Sequence, residues 1–285
     1  MKKIAFLLVL GSLVFGSSCS KFLENDLEAI NKKNTQEIAD YISQHNLQML
    51  STTSGLKYIV NQNSLGRNAL TGDEVTFHFN LTLLNGTALD STSRLKNEPA
   101  KIILGANSVI QGFLEALYLL KEGERGVFLI PSILAFGTQS SANVPANSVL
   151  KLDLEIVKLR SEEQQIDDYV RGTKLPVTET TASGLRIIKT LETNGTPLKV
   201  GLLATVKYTG YLASNVKQFD TGQINVGLGD GAVVKGFEEG LLKMKVGEKA
   251  VLVFPSSLGY GTTGSSTTIP PYAPLIFTVE IISAK

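Results

Sequence analysis

Two stretches of this chain are near copies of one another, and that repetition limits the folds open to it. Leu228 to Gly261 reads LGDGAVVKGFEEGLLKMKVGEKAVLVFPSSLGYG, and Leu104 to Gly137 reads LGANSVIQGFLEALYLLKEGERGVFLIPSILAFG. The differences 228−104, 236−112, 255−131 and 260−136 all equal 124, so glycines and prolines keep their places. In the second copy Val233, Val234, Phe237, Leu241 and Leu242 make a short amphipathic segment between glycines. A polar turn at Val246-Gly247-Glu248-Lys249, an apolar strand from Ala250 to Phe254 and a loop ending in Tyr260 follow.

The repetition extends upstream. Ile38, Tyr41 and Ile42 share one face of a helix, and Ile166, Tyr169 and Val170 repeat it 128 residues later (166−38). Ser54–Val60 and Ser183–Lys189 correspond at an offset of 129 (183−54). The unit is therefore about 125 residues long with its own leader helix, a domain duplication rather than a solenoid of 20–50-residue repeats. The units fall at 35–160 and 161–285, and Thr35 reads as the N-cap of the first leader helix.

Within each unit apolar residues alternate: Val75, Phe77, Phe79 and Leu81 in one, Ala204, Val206 and Tyr208 in the other. Period two marks half-buried strands. It puts His78 on the polar face, where a metal-binding or catalytic role is not expected. Alternating strands at Leu150–Val157 and Leu275–Ile282 close the units. Many strands and one internal helix per unit imply an α+β fold, a curled sheet over a short helix. A net charge of +1 with no basic cluster argues against nucleic-acid binding, and one cysteine precludes an intrachain disulfide.

That cysteine, Cys19, follows a lysine-bearing start, an apolar run from Ile4 to Phe15 and the small residues Gly16-Ser17-Ser18. The run is too short to span a bilayer and reads as a signal peptide over 1–18. Small residues ending at a cysteine resemble a bacterial lipoprotein signal. That resemblance implies lipidation at Cys19, a polar tether over 19–34 and a membrane-anchored protein of the cell envelope.

The second unit resembles the FKBP-type peptidyl-prolyl cis/trans isomerase family over nearly its whole length. The pieces that carry the resemblance include Lys207-Tyr208-Thr209-Gly210, Phe219-Asp220-Thr221, Val233-Val234-Lys235-Gly236-Phe237, Leu258-Gly259-Tyr260-Gly261, Ile269-Pro270-Pro271 and Phe277-Thr278-Val279-Glu280. The resemblance implies a sheet of five or six antiparallel strands around a Phe237–Met244 helix, with a shallow apolar pocket for a proline ring. Tyr208, Phe219, Val233, Val234, Phe237, Ile269 and Phe277 would line that pocket, Phe237 as its floor. Asp220 would accept a hydrogen bond from Tyr208 or polarise the amide, and Tyr260 would donate to the substrate carbonyl. Ile224 stands where some relatives carry a phenylalanine, on a shortened Phe219–Leu228 connection. The chemistry is rotation about a partial double bond, so no cofactor and no metal are called for.

The first unit keeps Asp90, Val109, Ile110 and Phe113 but places Phe79, Leu89, Phe136 and Leu152 where the second has Tyr208, Phe219, Tyr260 and Phe277. Both hydroxyl donors are lost, so this pocket is expected to be degenerate. The implied partners are Xaa-Pro-containing polypeptides and FK506-type macrolides. Two further readings are a non-catalytic peptide-binding chaperone and a docking lipoprotein of an envelope machine such as a gliding-motility apparatus. Gly261–Ile269 is too short for the inserted flap domain that chaperone-type members carry, which favours the enzyme.

Overall fold

The computed structural model describes residues 17–106, 109–141 and 143–285. The signal-segment reading falls mostly outside these residues, as does the side chain of Cys19. The first unit opens with helix α1 (Ser17–Gln44) and strands β1 (Leu50–Ser51) and β2 (Lys57–Gln62). Strands β3 (Glu74–Leu83), β4 (Ala88–Ser91) and β5 (Ala100–Ile103) lead to helix α2 (Gln111–Leu119). Strand β6 (Arg125–Ile130), a 3₁₀ turn (Ser132–Leu134) and β7 (Leu150–Arg160) complete the unit.

The second unit repeats this order: α3 (Glu162–Thr173), β8 (Glu179–Thr180), β9 (Arg186–Leu191), β10 (Leu203–Leu212), β11 (Gln218–Gly227), α4 (Lys235–Leu241), β12 (Lys249–Phe254), a 3₁₀ turn (Ser256–Leu258) and β13 (Leu275–Ala284). Its sheet has six strands in the order β11-β10-β13-β12-β9-β8, all antiparallel. The first sheet has seven, β1-β2-β6-β7-β3-β4 with β5 also on β3. The extra strand arises because the loop after Ser91 splits into β4 and β5 what runs unbroken as β11 in the second unit.

Each sheet curls over its internal helix. Phe113, Ala116 and Leu117 of α2 pack with Phe77, Phe128 and Leu152, and Phe237 and Leu241 of α4 pack with Leu252, Phe254 and Phe277. The helix of the second unit lies close on β12 because its facing residues are glycines. A Cβ on Gly236 would stand 2.5 Å from Phe254 Cγ, and one on Gly240 would stand 2.4 Å from Leu252 Cδ1. This helix begins at Lys235 and ends at Leu241, so the expected Phe237–Met244 span is shifted towards the N-terminus.

The leader helices cover the outer faces of the sheets. Ile166, Tyr169 and Val170 lie on Ile188, Val251, Val253 and Ile276, while Ile38, Tyr41 and Ile42 lie on Leu129 and Val149. Ser161 begins α3 with a capping box, accepting from Gln164 N while the Gln164 side chain accepts from Ser161 N.

The first leader helix departs from the sequence reading. Thr35 is no N-cap: it sits inside α1, its hydroxyl donating to Asn31 O at 2.8 Å. Helix covers the 19–34 stretch read as a tether, and Asn34 at its end is fully buried (0%). Asn34 Oδ1 accepts from Ser132 N at 2.7 Å and Nδ2 donates to Asn147 O at 3.0 Å, so this residue belongs to the folded unit. Among the described residues no helix is long and apolar enough to cross a membrane.

His78 also differs from expectation. It faces away from the aromatic core, yet it is 5% exposed, so that stretch of β3 is buried on both faces. The turn after β4 folds over this face, and Arg94 from it reaches Asp153 (3.2 Å) and Glu155 (3.0 Å). His78 Nδ1 is hydrogen-bonded to Thr92 Oγ1 at 3.0 Å, which accounts for its burial.

Candidate active site

In the second unit β10, β11, β13, the entry to α4 and the turn after β12 surround a cavity of about 330 Å³. Phe237 enters from α4, Tyr208 from β10, Phe219 and Asp220 from β11, and Phe277 from β13. Val233 and Val234 supply the rim before the helix, and Tyr260 closes the opposite side.

Phe277 is the hub of the aromatic wall. Its ring centroid lies 5.0 Å from Phe237, 5.6 Å from Phe219 and 6.1 Å from Tyr208. The first two contacts are edge-to-face, the arrangement that ring quadrupoles favour. Gly210 makes room for this cluster, because a Cβ there would lie 2.6 Å from Phe219 and 3.0 Å from Phe277.

The polar groups are few and placed. Tyr208 Oη donates to Asp220 Oδ2 at 2.7 Å, and Asp220 Oδ1 accepts from Thr221 N at 2.8 Å. Both carboxylate oxygens are thereby held. The hydrogen bond to Asp220, helped by burial and by the carboxylate charge, pushes the Tyr208 hydroxyl up to a pKa of about 12. Burial, then the Asp220 charge, also raises Tyr260. Among the described residues the Tyr260 hydroxyl has no hydrogen-bond partner, so it remains able to donate to a bound molecule.

One expected lining residue is elsewhere. Ile269 does not line this cavity; it is 4% exposed and packs in the core of the unit. The loop that carries it closes on itself, Ser265 N donating to Ile269 O at 2.8 Å and Ile269 N to Ser265 O at 3.1 Å, which fixes Ile269 where its side chain is buried. Ile224, at the place where some relatives carry a wall phenylalanine, lines the cavity, and Ala232 does so in addition to the expected residues. Ile224 is on the surface because β11 continues past Phe219 without the break seen in the first unit.

The first unit keeps the framework. Phe79 meets Phe113 edge-to-face at 5.4 Å and 80°, as Tyr208 meets Phe237 at 5.8 Å and 79°. Asp90 Oδ1 accepts from Ser91 N at 2.7 Å, matching Asp220 and Thr221. A phenylalanine cannot donate to Asp90. Val109 and Ile110 pack against the core, and Phe136, at the Tyr260 position, is 42% exposed.

A family model for FKBP-type peptidyl-prolyl cis-trans isomerases matches residues 66–157 and again 195–282. The chain belongs to the FKBP family. Human peptidyl-prolyl cis-trans isomerase FKBP9 is 30% identical over 213 residues, covering 74% of this chain and 35% of the relative. FKBP-type isomerase FkpA of Aeromonas hydrophila is 38% identical over 109 residues, 38% of this chain and 40% of the relative. FK506-binding protein 1 of Dictyostelium discoideum is 40% identical over 107 residues, 36% of this chain and 99% of that protein. The chain therefore spans only about a third of the first of these FKBP relatives.

Beyond the family's pieces, leader helix α3 fastens the turn that leads to Tyr260. Glu162 Oε2 accepts from Ser256 N at 2.7 Å and Oε1 from Ser256 Oγ at 2.8 Å. Ser256 O in turn accepts from Gly259 N and Gly261 N, each at 2.8 Å. Asn34 performs the same service for Ser132 in the first unit. The signal for this pair lay in the repeat itself, since 162−34 equals the 128 offset of the leader helices.

Proposed function

We propose that the second unit is a peptidyl-prolyl isomerase for Xaa-Pro segments of unfolded polypeptides, and that the first unit is a holding or structural copy. The observation that carries this reading is the Tyr208–Asp220 hydrogen bond beside an aromatic cavity that also presents the free hydroxyl of Tyr260. The barrier to rotation about the peptide bond is about 18–20 kcal/mol, and the uncatalysed X-Pro step takes tens to hundreds of seconds. A twisted amide is less charge-separated than a planar one, so it loses less on leaving water for this cavity. A wall of rings that fits the twisted imide better than the planar one lowers the barrier further. Tyr260 would hold the carbonyl oxygen, Phe237 would support the pyrrolidine ring, and Asp220 would fix Tyr208 in the wall.

The test is a proline-limited refolding assay and an Xaa-Pro test peptide. Wild-type chain is expected to accelerate both, and Asp220→Leu or Tyr260→Phe to slow them. A wild-type rate equal to buffer would remove the enzyme reading.

The same proposal places the protein in the cell envelope, held by lipid on Cys19. Several acyl chains give stable anchoring, at about 0.8 kcal/mol per buried methylene. Cys19→Ala is then expected to abolish incorporation of labelled fatty acid and release the protein from membranes. Equal membrane association of the variant and wild type would count against the anchor.

A further inference from the structure

The first unit reaches the pocket of the second through Tyr272. This residue ends the loop after Tyr260, its N–H donating to Gly261 O at 2.9 Å. Its ring lies on the backbone of two turns of the first unit, where a Cβ on Gly72 would stand 3.2 Å from Tyr272 Cδ1 and one on Gly105 would stand 3.0 Å from Cε2.

The backbone of Tyr272 shows that the position is held at a cost. Its φ is +58°, the left-handed region that a bulky side chain rarely occupies. The first unit has Asn147 at the matching turn, with φ +62° and the corresponding N–H bond to Gly137 O at 2.8 Å. Asparagine suits this conformation and tyrosine does not. The turn itself sets this conformation in both units, and the second unit keeps a tyrosine in it where the ring rests on Gly72 and Gly105 of the first.

The connection between the units is short and braced. Strand β7 ends at Arg160, and Ser161 alone separates it from α3. Arg160 contacts Glu74 of the first unit at 3.2 Å and Asp168 of α3 at 3.3 Å. Helix α3 then fastens Ser256 through Glu162. The Ser256–Gly261 segment that carries Tyr260 is therefore gripped at one end through α3 and at the other through Tyr272.

We infer that Tyr272 is a positioning residue, through which the first unit sets the place of Tyr260 in the catalytic pocket of the second. The inference rests on the reading that the second unit is the catalytic one. It gives the first unit a part in catalysis that needs no pocket of its own.

The decisive variant is Tyr272→Asn in the full chain, which keeps a residue suited to the left-handed turn and removes the ring. It is expected to lower kcat/KM on an Xaa-Pro peptide about tenfold, since small misplacements of a catalytic group are costly in rate. Its thermal unfolding is expected to stay close to that of wild type. Tyr272→Phe, which keeps the ring, is expected to stay within about twofold of wild type, because the contact is made by ring carbons. Amide resonances of Gly72 and Gly105 should shift in Tyr272→Asn but not in Tyr272→Phe. If Tyr272→Asn turns over as fast as wild type, or if Tyr272→Phe is as slow as Tyr272→Asn, the inference is wrong. Asp220→Leu measured alongside separates the two claims. A slow Asp220 variant beside a fast Tyr272→Asn overturns only the positioning role, whereas loss of effect at Asp220 overturns the catalytic reading beneath it.

Discussion

The Tyr208 hydroxyl donates to Asp220 Oδ2 at 2.7 Å, and the equivalent pair in the first unit, Phe79 and Asp90, cannot form that bond. A shared backbone thus carries two different pockets. The bond links neighbouring strands across the cavity wall, because β10 and β11 pair Gly210 with Asp220 and Tyr208 with Gly222. Asp220→Leu would free the Tyr208 ring and remove the fixed charge. We expect kcat/KM to fall by about ten- to a hundredfold, each factor of ten corresponding to about 1.4 kcal/mol. A refolding assay limited by proline isomerisation reads this directly.

The pH profile should be flat well into the alkaline range. The neutral Tyr208 hydroxyl is favoured in the folded chain, its pKa being pushed from 10.0 to about 12. Linkage then stabilises the fold below pH 10, and that contribution is lost as pH rises towards about 12. Tyr260 is shifted in the same direction. An ultraviolet titration should show both tyrosines ionising later than in Asp220→Asn, with activity unchanged up to the ordinary tyrosine value.

Restoring the missing hydroxyls should improve the first pocket. In an Asp220→Leu background, Phe79→Tyr with Phe136→Tyr is expected to raise the residual isomerase rate, since Asp90 stands where Asp220 does. In the wild-type chain an FK506-type macrolide should bind the second unit at least about tenfold more tightly than the first, about 1.4 kcal/mol. Calorimetric titration showing two equal sites would contradict this.

The leader-helix latches should be visible as stability. Asn34→Ala leaves the buried Ser132 N–H without its acceptor, and an unsatisfied buried donor costs about 1–3 kcal/mol. Denaturant unfolding should show a loss of this size for Asn34→Ala. For Glu162→Ala we expect a smaller loss in stability and a larger one in rate, because Ser256 precedes Tyr260 by only a short turn.

Much of the architecture was legible in the sequence because it is repeated. Period-two alternation marks the faces of β3, β10, β7 and β13, and the leader-helix stripes find their sheets. The ordered family pieces named the pocket residues, of which Tyr208, Phe219, Asp220, Val233, Val234, Phe237, Tyr260 and Phe277 do line one cavity. The exchange of Tyr208 for Phe79 and of Tyr260 for Phe136 was readable for the same reason.

What the sequence by itself determined was each residue's place along its own element. What only the tertiary structure decided was what lies across from it. Alternation put His78 opposite the aromatic core but could not show that the Arg94 turn covers that face. Motif order put Ile269 near the pocket, yet its loop turns the side chain into the core. Tyr272 carries no sequence signal, since its partners Gly72 and Gly105 belong to the other unit. Local pattern reports the periodicity of a chain, whereas burial and contact depend on surfaces brought together from distant parts of it.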